Sequence, residues 1–333
     1  MSAYLMQMGP LLDLSVSVAV VFAASVLFVN AIEYQAERFR WSSSFTGAIV
    51  TPLFTSIPEL FIFLLAITVY SNKSGHEIGL GTIFGEPFMT STLSYFLVLV
   101  SLLAALLTGR HVSKTFKVGR EMQLPYVFIA ILLPWLIIPG VIHSSYLQYM
   151  MGIIYLALYL VYILLMHRTN VGAHHEEIET PYFVRLIHKP AASFLQIGTA
   201  AVLLYFGSTL LIESISVLSR GSSGTALSVS IILIPVATAI PETIAGMIWA
   251  FRGKNTLAIG SLVGENVLYA TFYPGIALLL IPWSINLSAT ISIAGTALTS
   301  LMYFMFVRRG SMPVYMLSVG FIVYIAFLLS IYH

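Results

Sequence analysis

The chain is 333 residues long, 59% hydrophobic and only 8% charged, against about 25% charged in an ordinary soluble domain. Its 15 Lys and Arg and 13 Asp and Glu cannot cover a particle of this size in water, which excludes a soluble globular protein and implies an integral membrane protein whose apolar surface is covered by lipid. The absence of cysteine excludes disulfides, thiolate metal sites and cysteine nucleophiles, and the net charge of +2 says little until its distribution is followed along the chain.

A membrane helix needs about 20 mostly apolar residues. Ten such spans are expected, at 11–34, 44–70, 79–107, 122–142, 146–166, 191–218, 225–250, 256–281, 284–307 and 313–332, giving an all-α polytopic membrane protein. The segment MSAYLMQMGPLLDLS carries no Lys or Arg, so the first apolar stretch is expected to be a retained span and not a signal peptide. The longest polar stretch, His167 to Lys189, holds 23 residues. No soluble catalytic or regulatory domain is expected there.

The basic residues sort to one side. The odd-numbered connections carry Arg38 and Arg40; Arg110, Lys114, Lys117 and Arg120; Arg168, Arg185 and Lys189; Arg252 and Lys254; and Arg308 and Arg309. The even-numbered ones hold only Lys73 and Arg220, a split of 13 to 2. Because cytoplasmic loops collect Lys and Arg, both termini are expected outside a multi-pass cell-membrane protein.

The second and seventh spans share a phrase. Pro52-Leu-Phe-Thr-Ser-Ile-Pro-Glu59 is answered by Pro235-Val-Ala-Thr-Ala-Ile-Pro-Glu242, 183 residues on, and Gly81-Thr-Ile-Phe-Gly-Glu-Pro87 by Gly260-Ser-Leu-Val-Gly-Glu-Asn266, 179 residues on. Five spans per half is an odd number, so the second half is inverted. Residues 1–166 are expected to form one five-helix repeat, 167–189 a cytoplasmic linker and 190–333 the second repeat. Inverted repeats characterise secondary transporters, whose sites lie near the midplane where interrupted helices meet. Each PxxT[SA]IPE supplies an interruption, because its two prolines remove backbone donors and disfavour helix before each ring. The freed carbonyls are cation ligands that lipid does not tolerate unless they line a cavity.

Glu59, Glu86, Glu242 and Glu265 all fall within apolar spans, where an acidic residue costs at least about 2.5 to 3.5 kcal/mol on insertion scales. No Lys, Arg or His lies in those four spans to offset them. The charge calls for protons or metal cations, and hard oxygen ligands suit Ca²⁺ better than Zn²⁺ or copper. Four carboxylates around one divalent ion leave an excess of negative charge, which is a coupling mechanism in outline. The competing reading, protonated glutamates hydrogen-bonding helices together, fits a lone residue better than four in register with helix breaks. Glu33 and Glu213, 180 apart near the ends of the first and sixth spans, either form a third pair or reach the interface.

At these residues the sequence resembles the sodium/calcium exchanger family of the calcium/cation antiporter superfamily. That family carries GTSxPE phrases on its second and seventh helices and GNxxGSN on its third and eighth. FTSIPE at Phe54–Glu59 matches the first closely, and ATAIPE at Ala237–Glu242 matches with one hydroxyl lost at Ala239. The resemblance implies that Glu59 and Glu242 coordinate the transported ion and that Thr55, Ser56 and Thr238 supply hydroxyl or carbonyl ligands for Na⁺ and Ca²⁺. It also implies alternating access, with the first and sixth helices sliding against a rigid core. The departures fall on the site: Glu86 and Glu265 stand where the family has serine, Thr90 and Tyr269 four residues later where many members have Asn or Asp, and Thr82 and Ser261 replace the Asn of GNxxG. The expected metal set is therefore Glu59, Glu86, Glu242, Glu265, Thr55, Ser56 and Thr238. The expected function is exchange of Ca²⁺ for Na⁺ or H⁺, with proton-coupled Mg²⁺ or Mn²⁺ exchange as the alternative. No cofactor, no enzymatic activity and no nucleic acid partner are expected; the partners are the ions and the bilayer, and the transport unit is a monomer.

His174, His175, Glu176, Glu177 and Glu179 in the central loop read as a solvated linker, with a regulatory metal or pH-sensing site as the alternative. The basic stretch 108–121 is explained by topology, though it could touch anionic headgroups. Trp41, Trp135, Trp283 and Tyr332 at span ends are expected to be interface anchors. An intramembrane hydrolase is disfavoured because all eight His lie in loops or at span ends. A passive channel is opposed less directly, by the single-chain inverted repeat.

Overall fold

The computed structural model describes residues 2–56, 60, 63–64, 73–168, 180–218, 235 and 239–332. At residues 2–11, 73–75, 77, 78, 208, 211–218, 241 and 330–332 the backbone alone is described. The described chain is almost entirely helical, the state in which a membrane-embedded backbone satisfies its own hydrogen bonds. Helix α1 is Ser2–Arg38. Helix α2 covers 43–55 as Ser43–Phe45, a π-helical turn Thr46–Val50 and Thr51–Thr55. Helix α3 covers 73–107 as Lys73–Met89, a second π-helical turn Thr90–Ser94 and Tyr95–Leu107. Strand β1 is Thr115–Lys117, and α4 covers 120–142 with a step at Leu136. Helices α5 (Ser145–Arg168), α6 (Tyr182–Ile187) and α7 (Ala192–Leu218) follow. After them come α8 (Ile240–Phe251), α9 (Asn255–Ala270), α10 (Phe272–Leu280) and α11 (Leu287–Val307). Strand β2 (Ser311–Pro313) and α12, a 3₁₀ turn Val314–Ser318 leading into Val319–Tyr332, end the chain.

Among the described residues, six helical stretches are long and apolar enough to cross a membrane: Leu12–Arg38, Gly79–Leu107, Arg120–Ile142, Ser145–Arg168, Asn255–Leu280 and Leu287–Val307. Two shorter apolar helices, Ala192–Gly207 and Val314–Leu329, accompany them. Much of the second and seventh spans, together with the acidic central loop at 174–179, lies outside the described residues. The helix breaks expected in those two spans have described edges. Helix α2 stops at Thr55, and α8 starts at Ile240 behind a bend at Ala239.

Helix α9 is the axis of the bundle. Every residue from Leu257 to Ala270 is buried, and α2, α3, α4, α8 and α10 all pack on it. Small residues permit this. A Cβ on Gly264 would lie 2.3 Å from the Ala48 carbonyl oxygen, and one on Gly260 would lie 3.1 Å from Gly47 Cα, so α2 and α9 cross backbone to backbone.

The basic connections meet at one end of the bundle. Strands β1 and β2 pair antiparallel, with Phe116 opposite Met312, and tie the third connection to the ninth. Ser44 Oγ, at the start of α2, donates to Glu121. Gly119 N donates to Thr256 Oγ1 at 3.2 Å, and the Arg110 guanidinium lies 4.6 Å from the centre of the Phe251 ring. Phe45 meets the His167 ring edge-on at 5.6 Å. The sorting of charge along the sequence is thus a sorting in space. One interface anchor is corrected: Trp283 is 5% exposed and its indole donates to the Leu136 carbonyl at 2.9 Å, so it seals the step in α4 instead of facing headgroups. Trp135 stays half exposed. Tyr332 lies outside the described side chains.

The α2–α9 crossing makes a stability prediction. Gly264→Ala should lower the thermal midpoint of the purified protein by the equivalent of about 1–3 kcal/mol of overpacking. Gly198→Ala, whose Cβ would meet nothing within 4 Å, should not lower it. Equal midpoints for the two variants in a fluorescence-monitored melt would show that the crossing is not this close.

Candidate cation site

Glu265 lies near the middle of α9 and is 1% exposed. Its Oε2 accepts a hydrogen bond from Ser56 Oγ at 3.3 Å, and its Oε1 has no hydrogen-bond partner among the described residues. Ser56 stands just past the end of α2, where the helix has opened (φ −85°, ψ 12°), and its hydroxyl also turns back to the Pro52 carbonyl. A break in the second span therefore places a hydroxyl against a carboxylate 209 positions away. Thr55 is buried, with Oγ1 donating to the Thr51 carbonyl at 3.1 Å.

Glu86, on α3, is fully buried, one residue before Pro87 and four before the π-helical turn at Thr90–Ser94. Turns of this kind recur at functional sites because they displace side chains and free carbonyls. Here hydroxyls answer those carbonyls: Thr90 Oγ1 donates to the Glu86 carbonyl at 2.6 Å, and Thr92 Oγ1 donates to that of Phe88. Glu242 is 1% exposed in the first turn of α8, directly after Pro241. Proline suits a first turn because that position needs no donor, and the exposed amides of a helix start favour a carboxylate.

Glu59 and Thr238 lie outside the described residues. Among the described residues no group of three or more His, Asp or Glu side chains gathers at metal-binding spacing. The described part of the site is a set of buried carboxylates distributed over α3, α8 and α9, with hydroxyls bonded across those helices, and not a closed acidic cage.

Several residues of this network were not singled out by motif. Thr90 Oγ1 and the Asn266 side-chain amide share a hydrogen bond that joins α3 to α9, and Ser94 and Thr243 share one of 2.7 Å that joins α3 to α8. Asn266 closes the repeat phrase itself; Thr243 follows a motif glutamate, so adjacency is its available signal. Tyr273, on α10, donates to the Ser56 carbonyl at 3.1 Å and stacks on Tyr269 with ring centres 4.3 Å apart. Nothing in the repeat marks it.

A mainly helical membrane bundle with carboxylates and hydroxyls at its buried centre has the make-up of a cation transporter. A family model described as sodium/calcium exchanger protein matches residues 11–167 and 192–332, and the chain belongs to that family. The family is one of transporters, not enzymes. The chain is 23% identical over 271 residues to the inner membrane protein YrbG of Escherichia coli (strain K12), covering 80% of this chain and 76% of that protein. Structures of the sodium-calcium exchanger NCX_Mj share the fold. One soaked with Na⁺ and Sr²⁺ superposes with a TM-score of 0.72 at 17% identity, covering 98% of each chain. Another gives 0.70 at 18% identity over 96% of this chain and 99% of that one.

Thr90→Val would leave the buried Asn266 side-chain amide without its hydroxyl partner, which should cost about 1–3 kcal/mol. The double variant Thr90→Val/Asn266→Leu should recover much of the loss. A thermal double-mutant cycle with no coupling between the two positions would remove the hydrogen bond from the description.

Proposed function

We propose that the chain is a secondary active antiporter that exchanges Ca²⁺, or another divalent cation, for Na⁺ or H⁺ across a cell membrane by alternating access. The proposed ligands are Glu59, Glu86, Glu242 and Glu265, with Thr55, Ser56 and Thr238. They come from two inverted repeats, 1–166 and 190–333, joined by a cytoplasmic linker, with both termini outside and one chain forming the transport unit. Membership of the exchanger family supports cation antiport. The single observation that carries the site is Glu265: a carboxylate at the centre of the most buried helix, with a hydroxyl on one oxygen and no hydrogen-bond partner on the other among the described residues. A buried polar atom of this kind asks for a ligand. A hard cation answers both the charge and the free lone pairs.

One observation favours H⁺ over Na⁺ as counter-ion. The Ser56 carbonyl, at the helix break, accepts from Leu60 N at 3.0 Å and from the Tyr273 hydroxyl at 3.1 Å. A carbonyl has two lone pairs, so this one is committed and is lost as a neutral ligand for Na⁺. Two carboxylates, Glu86 and Glu265, stand where the family has serine. The site thus exchanges neutral oxygens for groups that can carry protons.

In proteoliposomes loaded with radiolabelled Ca²⁺, an imposed Na⁺ or pH gradient should drive Ca²⁺ across the membrane. If neither gradient moves Ca²⁺, Mg²⁺ or Mn²⁺, the protein is not an exchanger. Glu59→Gln and Glu242→Gln should each reduce exchange to background with the folded yield preserved; wild-type flux in both removes the assignment of the ligands. Glu86→Ser should raise the Na⁺-driven share of transport relative to the H⁺-driven share, and an unchanged ratio means Glu86 does not take part in coupling.

A further inference from the structure

Glu33 is 6% exposed, although the sequence places it near the end of a span. Its Oε1 accepts from the Trp249 indole at 2.8 Å, and its Oε2 lies 3.1 Å from Lys254 Nζ and 3.5 Å from Arg252 Nη1. The three partners come from one place. Trp249 is in the last turn of α8, Arg252 follows its end, and Lys254 immediately precedes α9. A single carboxylate on α1 therefore grips the α8–α9 connection from three directions at the basic end of the bundle.

The surroundings show what this grip holds. Helices α1 and α7 pack along each other and otherwise meet the bundle mainly through α8. Towards the basic end, Phe28, Val29, Ala31 and Ile32 of α1 join the main core. Farther along, Val21 and Ala24 form a separate small cluster with Leu204, touched by Ile240 and Ile244 of α8, and residues 12–20 are largely exposed. Among the described side chains, the α1/α7 pair joins the main core of the bundle at its basic end. Helix α8 connects the grip to the proposed ion site, because Glu242, Ala245 and Trp249 stand on one face at helical spacing and Arg252 lies about 15 Å from Glu242 along the axis. Lys254 also lines a polar cavity of about 750 Å³ shared with Ser44, His111, Lys117, Glu121 and Thr256, so water reaches the outer side of the grip.

We propose that Glu33 is a positioning residue of the transport cycle. Its contact with Trp249, Arg252 and Lys254 holds the α1/α7 pair closed over the basic face of the ion path, and the contact breaks and re-forms once per cycle. The requirement for a cycle rests on the exchange reading above; the closure of the face by Glu33 does not. Without the carboxylate, Arg252 and Lys254 lose the ion pairs that tie the α8–α9 connection to α1, which favours separation of the two.

The chain has no cysteine, so a single introduced thiol reports accessibility without background. Ala245→Cys places it on the face of α8 between Glu242 and Trp249, at a site that is 0% exposed in the closed state. With a membrane-impermeant maleimide, Glu33→Gln should raise its labelling rate at least about tenfold, the effect of a modest shift between two states. Glu33→Asp, which keeps the charge, should restore most of the protection. Lys254→Gln should act in the same direction as Glu33→Gln, and it provides the measurement if that variant does not fold. In flux assays Glu33→Gln should lower both the half-saturating Ca²⁺ concentration at the basic face and the maximal rate, a split that general destabilisation does not produce. Unchanged labelling in folded Glu33→Gln or Lys254→Gln protein overturns the proposal. Absence of flux in the wild type with labelling altered as expected overturns the exchange reading and leaves the closure standing.

Discussion

A carboxylate stays inside an apolar bundle only where something nearby answers its charge or its lone pairs, and two glutamates of this chain meet that condition in opposite ways. Glu33 is answered within the protein by two cations and an indole. Glu265 has one hydroxyl, at 3.3 Å, and an oxygen with no hydrogen-bond partner among the described residues. The difference follows from position. The cations are confined to the connections, so only a carboxylate near the basic end can reach them, and one at the middle of α9 needs its counter-charge from outside the chain. The compensated carboxylate joins helices; the one with a partnerless oxygen is the centre of the proposed cation site.

Placing a carboxylate that deep requires a helix that can be surrounded on every side. Helix α9 meets the requirement through Gly260 and Gly264, which let α2 cross it at backbone distance. Helix α2 in turn ends at Thr55, and the backbone of Ser56 has left helical geometry (φ −85°, ψ 12°). Close crossing and helix break act together: the first brings α2 against α9, and the second turns the Ser56 hydroxyl towards Glu265. The π-helical turn in α3 has a similar role, presenting Thr90 to Asn266 and Ser94 to Thr243. Hydroxyls are the natural currency of such an interior, since each can donate to a carboxylate or carbonyl without bringing in charge.

How much of this was legible in the sequence depended on the range of the signal. Runs of apolar residues are local, so the spans expected at 146–166, 256–281 and 284–307 fall within a few residues of Ser145–Arg168, Asn255–Leu280 and Leu287–Val307. The sorting of basic residues by connection is a count, and it survives as a shared end of the bundle. The repeat marked Glu86, Glu242, Glu265 and Asn266, all buried, but could not mark Ser94 or Thr243, which become partners only once α3 and α8 pack. The π-helical turns carry no periodic signature; TSTLS reads as ordinary helix. Trp283 was misplaced because span ends and helix steps both attract an aromatic with a polar edge, and only the Leu136 carbonyl distinguishes them. The Glu33–Trp249 contact joins residues 216 positions apart, with no repeat or motif to announce it.

Helix α8 ties these features into one mechanical element. Its first turn carries Glu242 and Thr243 and its last carries Trp249, with Arg252 just beyond, so a displacement of α1 relative to the α8–α9 connection is felt along the same rigid rod that bears part of the proposed site. The chemistry of the grip suits such a role. A buried ion pair returns little net stability, because the desolvation of both charges offsets most of their attraction, yet it is strongly selective for its own geometry. A purely apolar seal of the same size would deepen one state and leave the other disfavoured. An ion pair beside an open polar cavity can exchange its partners for hydration, which would keep the proposed open and closed arrangements close in energy, as the proposed alternating exposure of one site demands.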